Sequence, residues 1–234
     1  MANKTPNDPR LMPAYSVAEA AHYLHMPTPT LRSWVAGRTY PVSGQSKRSR
    51  PLIHLDDENR QYLSFINLVE AHVLAAIRRR HGVKLPKVRS ALDYLRNHFK
   101  VERPLVEGVF QTDGLDLFVE RYGALINVSK EGQHAMKEII GVYLQRIDRD
   151  SKGLPVKLFP FTRNSEGASS PSSDPRIIVM NPSISYGRPV INGTGIPAAS
   201  IYERYKAGDS VEALSKDFRL ETNAIEEAIR CQAA

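Results

Sequence analysis

The sequence predicts an α+β, mainly helical fold, and three observations carry that expectation. Apolar residues recur at helical spacing in several stretches, such as Leu63, Ile66, Val69, Val73, Leu74 and Ile77. Short apolar runs bounded by Gly, Pro or Asp supply strand candidates between those stretches. A Ser- and Pro-rich stretch, residues 164–175, has almost nothing to bury and sets a last unit apart.

The elements follow in chain order. Residues 1–13 are polar and Pro-containing and read as a mobile tail. Ser16-Val17-Ala18-Glu19 has the spacing of a capping box, in which the Ser hydroxyl and the Glu carboxylate satisfy each other's amides. Val17, Ala20, Ala21 and Leu24 then form one apolar face. His25-Met26-Pro27 makes a turn, and Thr28 caps a second helix with Pro29 at its first position. Leu31 and Val35 point inward from that helix, leaving Thr30, Arg32 and Ser33 outward. Residues 37–51 read as a basic loop or wing, and 52–55 as the strand it enters.

The long helix has Asp56, Asp57 and Glu58 at its start, where negative charge suits the dipole. Arg78, Arg79 and Arg80 end it, and Gly82 stops it. The next helix opens at Leu85-Pro86 with Val88, Ala91, Leu92 and Leu95 on one face. Residues 105–120 are expected to form a hairpin about Asp113-Gly114, with Leu115, Leu117 and Val119 alternating. A helix over 132–147 and strands over 156–161 and 177–180 follow. Gly193 and Gly195 permit positive φ in a tight turn. Three short helices end the chain. The first begins at Pro197 and buries Ile201 and Tyr205; Ser210 caps the second, and Thr222 or Asn223 the third. The expected organisation is 1–104, with a helix-turn-helix and wing; 105–163, a mixed middle segment; 164–175, a linker; and 176–234, a small three-helix domain with a hairpin.

The charge is uneven. Residues 1–104 hold 17 Lys and Arg against 8 Asp and Glu, a net +9, while residues 105–234 hold 15 against 17, a net −2, which together give +7. A basic unit joined to a neutral one points to a polyanion as partner of the first. The lone cysteine, Cys231, cannot form an internal disulfide or a Cys-rich metal site. His22 and His25 share a helix face but lack companions, so neither a metal nor a cofactor is expected. No phosphate-cradling glycine loop or nucleophile–base pair stands out, so the expectation is a binding protein and not an enzyme. No apolar run of the roughly 18 residues that a membrane span needs is present, and no secretory leader; cytoplasmic residence is the expectation.

Two short helices with a tight turn form a helix-turn-helix, whose second helix enters the major groove. Thr28, Thr30, Arg32 and Ser33 are the candidate contacts on that helix. Lys47, Arg48 and Arg50 are the candidate phosphate contacts on the wing. Ser16, Ala20-Ala21, Thr30-Leu31-Arg32, Trp34 and the basic run before Leu52 together resemble the MerR-type winged helix. That resemblance implies a reader of double-stranded operator DNA that works as a homodimer, with the long helix and its successor as the dimer surface.

Asn181-Pro182, followed by Gly187-Arg188-Pro189-Val190-Ile191-Asn192-Gly193-Thr194-Gly195-Ile196-Pro197, is the most specific stretch. With Tyr202, Tyr205, Gly208-Asp209-Ser210 and Glu212-Ala213-Leu214 it resembles a small bacterial domain long described only as of unknown function. Some members of that family are fused to a winged helix as VapB-type antitoxins. Gly195 departs from the family, which usually carries Arg there. The resemblance implies an antitoxin that neutralises a PIN-type ribonuclease and represses its own operon. A cation placed among the toxin's metal-binding carboxylates would do the former, and Arg188, Arg204, Lys206 and Arg219 are the candidates. The alternative is a MerR-like regulator that answers to a ligand and has no toxin partner.

Overall fold

The computed structural model describes residues 8–42, 45–55, 57, 61–78, 85–163 and 174–233. Asp56, Glu58, Arg79, Arg80, Gly82 and most of the expected linker lie outside them. The architecture is α+β and mainly helical, as the sequence predicts. Strand β1 (Tyr15–Ser16) leads into α1 (Val17–Tyr23) and α2 (Thr28–Ala36). The wing follows as β2 (Thr39–Val42) and β3 (Gln45–Arg48), paired antiparallel with Tyr40 opposite Lys47. Strand β4 (Tyr62–Leu63) returns to pair with β1. Next come α3 (Phe65–Arg78), α4 (Leu85–Phe99), α5 (Leu115–Ile126) and α6 (Lys130–Leu144). The hairpin β5 (Ile147–Arg149) and β6 (Pro155–Leu158) precedes a further antiparallel pair, β7 (Ile178–Val179) and β8 (Val190–Ile191). Helices α7 (Ala198–Lys206), α8 (Val211–Phe218) and α9 (Thr222–Ala233) complete the chain.

Several expectations are corrected. The wing strands are 39–42 and 45–48, so Lys47 and Arg48 sit on a strand and 52–55 is not one. Pro27 occupies the N-cap of α2, because its carbonyl already accepts from Thr30 and Leu31; Thr28 is the first helical residue and no side chain caps the helix. The hairpin expected over 105–120 is helical. A π turn at Phe110–Gly114 runs into α5, with Gly114 at φ −70°. The winning period is Leu115, Phe118, Val119 and Tyr122, all buried at helical spacing, over the weaker alternation through Leu117. Asp57 accepts from the Gln61 and Tyr62 amides instead of starting α3. Tyr205 is 43% exposed and does not join the core.

The largest correction concerns α3. Every residue from Phe65 to Leu74 is buried, Asn67, Glu70 and His72 included. The helix packs against α6 and β4, and the buried His72 ring lies 3.1 Å from the Tyr143 carbonyl through Nε2 and stacks on Phe161. A helix buried on all sides is a core element, so residues 65–74 do not supply the dimer surface expected of this helix. One continuous apolar cluster runs from Tyr15 to Met180 through α3, α4, α5 and α6, and no gap in it marks residue 104. A second cluster of Ile178, Ile191, Ala198, Ile201, Leu214, Ile225, Ala228 and Cys231 holds the three C-terminal helices. Burial there pushes the Cys231 thiol up to about 12. The two sheets meet where Leu158 and Met180 exchange both backbone hydrogen bonds, at 3.0 and 2.8 Å. Arg146 closes the same joint, donating to the carbonyls of Phe159, Pro160, Asp174 and Pro175. Glu227 of α9, wholly buried, accepts from Thr162, Arg163 and Arg230. Among the described residues no helix is long and apolar enough to cross a membrane.

Candidate nucleic-acid interface

The expected capping box is present. Ser16 Oγ accepts from the Glu19 amide at 3.2 Å, and Glu19 Oε2 accepts from the Ser16 amide at 2.9 Å. Ala20, Ala21, Leu31, Trp34 and Val35 fix α1 against α2 from inside, so Trp34 belongs to the core. On the outer side of α2, Arg32 is exposed while Thr28 and Thr30 are partly so. Ser33 Oγ donates to the Thr30 carbonyl at 2.7 Å, a bond back into its own helix that leaves its lone pairs as acceptors.

The wing is fixed to α2 at its base. Gly37 stands at φ 76°, and a Cβ there would lie on the Ser49 carbonyl, so only glycine fits the exit from the helix. Ser49 donates its amide to Arg38 O at 2.8 Å, and the Arg38 amide donates to Ser49 Oγ at 2.9 Å. Arg48 Nη2 donates to the Ala36 carbonyl at 2.8 Å, where a cation suits a helix C-terminus. Leu52 and Ile53 donate to Trp34 O, returning the chain to the core. Lys47 and Arg50 are exposed. The structure thus brings all seven expected contacts onto α2 and the adjoining wing. It adds two residues that sequence reasoning missed. Arg38 is exposed beside the wing, and Arg89 of α4 donates to the Arg50 carbonyl at 2.6 Å. Arg38 was legible as part of the basic run; nothing in the local pattern announces a contact made 39 residues away. Among the described residues none of Arg32, Arg38, Lys47, Arg48 and Arg50 has a carboxylate partner.

The cations expected in the C-terminal unit are arranged differently. Arg188 Nη1 pairs with Glu19 Oε1 at 2.6 Å, inside the capping box of α1. Arg204 bridges Asp209 at 2.6 Å and Asp217 at 2.7 Å, and these bonds raise its affinity for the proton. Lys206 lies 5.5 Å over the Tyr202 ring, and Arg219 is exposed in the left-handed cap of α8. The four do not converge on one point of the fold. Arg188 belongs to a clamp, since Tyr15 Oη donates to the Gly187 carbonyl at 2.8 Å and Arg188 lies over the Tyr15 ring. Burial pushes the Tyr15 phenol well above its ordinary range, so it remains a donor. Burial would raise the Glu19 carboxyl as well, but the Ser16 amide and hydroxyl and the Arg188 guanidinium outweigh it and hold Glu19 below the usual carboxylate range.

The fold is a helix-turn-helix with a β-hairpin wing, fastened to a small α/β unit. The family model described as "Putative DNA-binding HTH domain" matches residues 13–92, and "Protein of unknown function (DUF433)" matches residues 178–230. Along its length the chain is similar to "Putative antitoxin VapB45" of Mycobacterium tuberculosis, 29% identical over 95% of either chain. It is 26% identical to "Uncharacterized protein Rv2308" of the same organism, over 92% of this chain and 88% of that one. The crystal structure of Rv2018 from Mycobacterium tuberculosis shares the fold, with TM-score 0.65 and 23% identity over 94% of this chain and 98% of that one.

Proposed function

We propose that the chain is the antitoxin of a type II toxin–antitoxin pair, VapB-like in its partner and MerR-like in its DNA reader. Its α2 and wing bind the operator, as a homodimer, and repress its own operon; the C-terminal unit contributes to neutralising a PIN-type ribonuclease. It works in the cytoplasm, without a catalytic step or a cofactor of its own. The observation that carries this reading is the similarity over nearly the whole chain to a protein named as an antitoxin. The unpaired cations on α2 and the wing support the DNA half, because phosphate contact requires cations not already neutralised. Arg188 and Arg204 are held by carboxylates of this chain, which leaves Lys206 and Arg219 as the toxin-facing cations in this reading.

Expression of the neighbouring open reading frame alone is expected to arrest growth, and co-expression of this chain to restore it. A harmless neighbour that does not co-purify contradicts the antitoxin reading. In that case the chain is the MerR-like regulator without a toxin, and a ligand that changes its operator affinity is to be sought.

A further inference from the structure

Residues 181–188 form a tight loop that holds Tyr186 out to solvent at 89% exposure. The loop is rigidly built. Asn181 accepts the Ser183 amide on Oδ1 and the Ile184 amide on its carbonyl, both at 2.9 Å. Gly187 and Arg188 donate back to Ile184 and Ser185 at 2.9 and 3.0 Å. Beyond the tip, Gly187 and Arg188 are fastened to Tyr15 and Glu19. Within this frame Ser185 (φ 47°) and Tyr186 (φ 52°) both adopt the left-handed conformation, which L residues other than Asn and Asp seldom take. The two left-handed residues shape the turn that places Gly187 and Arg188, while the Tyr186 ring, among the described residues, makes no aromatic or cation–π contact within this chain. Strain of this kind persists where surrounding structure enforces it, and it clusters at binding sites. A tyrosine fixed in advance loses little entropy on binding, which is what an interface anchor needs.

Beside the loop lies a hollow of about 350 Å³. Ile184, 39% exposed, lines it with Val179, Val190 and Ile191, and Lys157, Asn181, Asn192 and Thr194 supply its polar lining. Lys157 faces Asp148 across the β5–β6 ladder, but Asp148 is paired with Arg176. Among the described residues Lys157 has no carboxylate partner. Apolar lining beside a cation that forms no ion pair among the described residues selects a partner group that is apolar with a carboxylate nearby.

We propose that this loop and hollow seat a partner protein whose surface offers an apolar socket for Tyr186 and a carboxylate for Lys157. The proposal rests on the antitoxin reading for the existence of a protein partner, and adds where that partner sits. The test is binding of the purified product of the neighbouring reading frame to the full chain and to Tyr186→Ala, Tyr186→Gly and Lys157→Glu, with Tyr205→Ala as an exposed control. Weakening of roughly tenfold or more is expected for the three loop and hollow variants, with Tyr205→Ala unchanged. Tyr186→Gly removes the strain at position 186 together with the ring, so its unfolding midpoint is expected at or above that of the parent chain; loss of binding by so stable a variant supports the anchor. Equal binding by the parent, both Tyr186 variants and Lys157→Glu overturns the surface and leaves the antitoxin reading standing. Failure of the parent chain to bind, together with failure to rescue growth, overturns both.

Discussion

Gly187 shows how one residue joins the two ends of the fold. Its φ is 78°, and a Cβ would lie on the Tyr15 hydroxyl that its carbonyl accepts from. Gly187→Ala is therefore expected to cost about 2 kcal/mol or more in denaturant unfolding, through backbone strain and a clash together. Tyr15→Phe, which removes the hydroxyl, is expected to cost about 1 kcal/mol alone and to relieve part of the alanine defect. Glu19 has two roles, capping α1 and pairing with Arg188. Loss of the cap in Glu19→Ala is worth about 1 kcal/mol. The ion pair is half-exposed and adds at most about 1 kcal/mol, measurable as the coupling between Glu19→Ala and Arg188→Ala. The sign of the pH dependence follows from a carboxyl held below its ordinary range in the folded state. Its contribution is present above the unfolded pKa of roughly 4.3 and is lost as pH falls through the lower folded value. The deficit of Glu19→Ala is thus expected to be full at neutral pH and to shrink in acid, as urea midpoints at the two conditions would show.

At the scale of elements, α2 and the wing divide their tasks. Arg32→Ala is expected to weaken operator binding by about 1–3 kcal/mol where it meets a base edge, and to relax specificity there. Lys47→Ala is expected to weaken all sequences alike and to lower the slope of log K against log salt by about 1. Arg48→Ala should do more than Lys47→Ala, because it also frees the wing from the Ala36 carbonyl. Fluorescence titrations at several salt concentrations separate these effects. Much of this region was legible in the sequence, since the capping box, the turn at His25–Pro27 and the basic run are local signals. Val88, Ala91, Leu92 and Leu95 likewise announced the buried face of α4. What failed was decided by tertiary packing. Asp113-Gly114 resembles a hairpin turn, yet the core takes Leu115, Phe118, Val119 and Tyr122 as one helical face. Asn67, Glu70 and His72 of the long helix are buried, each with a partner from another segment, such as the His54 carbonyl for Asn67 and Arg103 for Glu70, and no local pattern names those partners. Arg188 looked like a surface cation because its carboxylate lies 169 residues away.

Across the described residues, the links that fasten the C-terminal unit to the rest include the Tyr15–Arg188 clamp, the Leu158–Met180 bridge, the Arg176–Asp148 ion pair, and Glu227 against Thr162 and Arg163. Removing residues 176–234 would strip Met180 from the main cluster and Arg188 from α1. The truncated chain is therefore expected to lose cooperative melting and operator binding together, so its failure to rescue growth would not locate the toxin contact; single substitutions in the loop do that. The full chain is expected to melt in one calorimetric transition, because the cluster from Tyr15 to Met180 is continuous. In the proposed function the cations of α2 and the wing read operator DNA. This is tested most directly by equilibrium titration of the chain's own upstream duplex, against a scrambled duplex, at rising salt. Preference for the upstream duplex is expected, with steep weakening between about 50 and 200 mM salt and loss of the preference in Arg32→Ala. Equal affinity for both duplexes, or no binding at low salt, would contradict this reading.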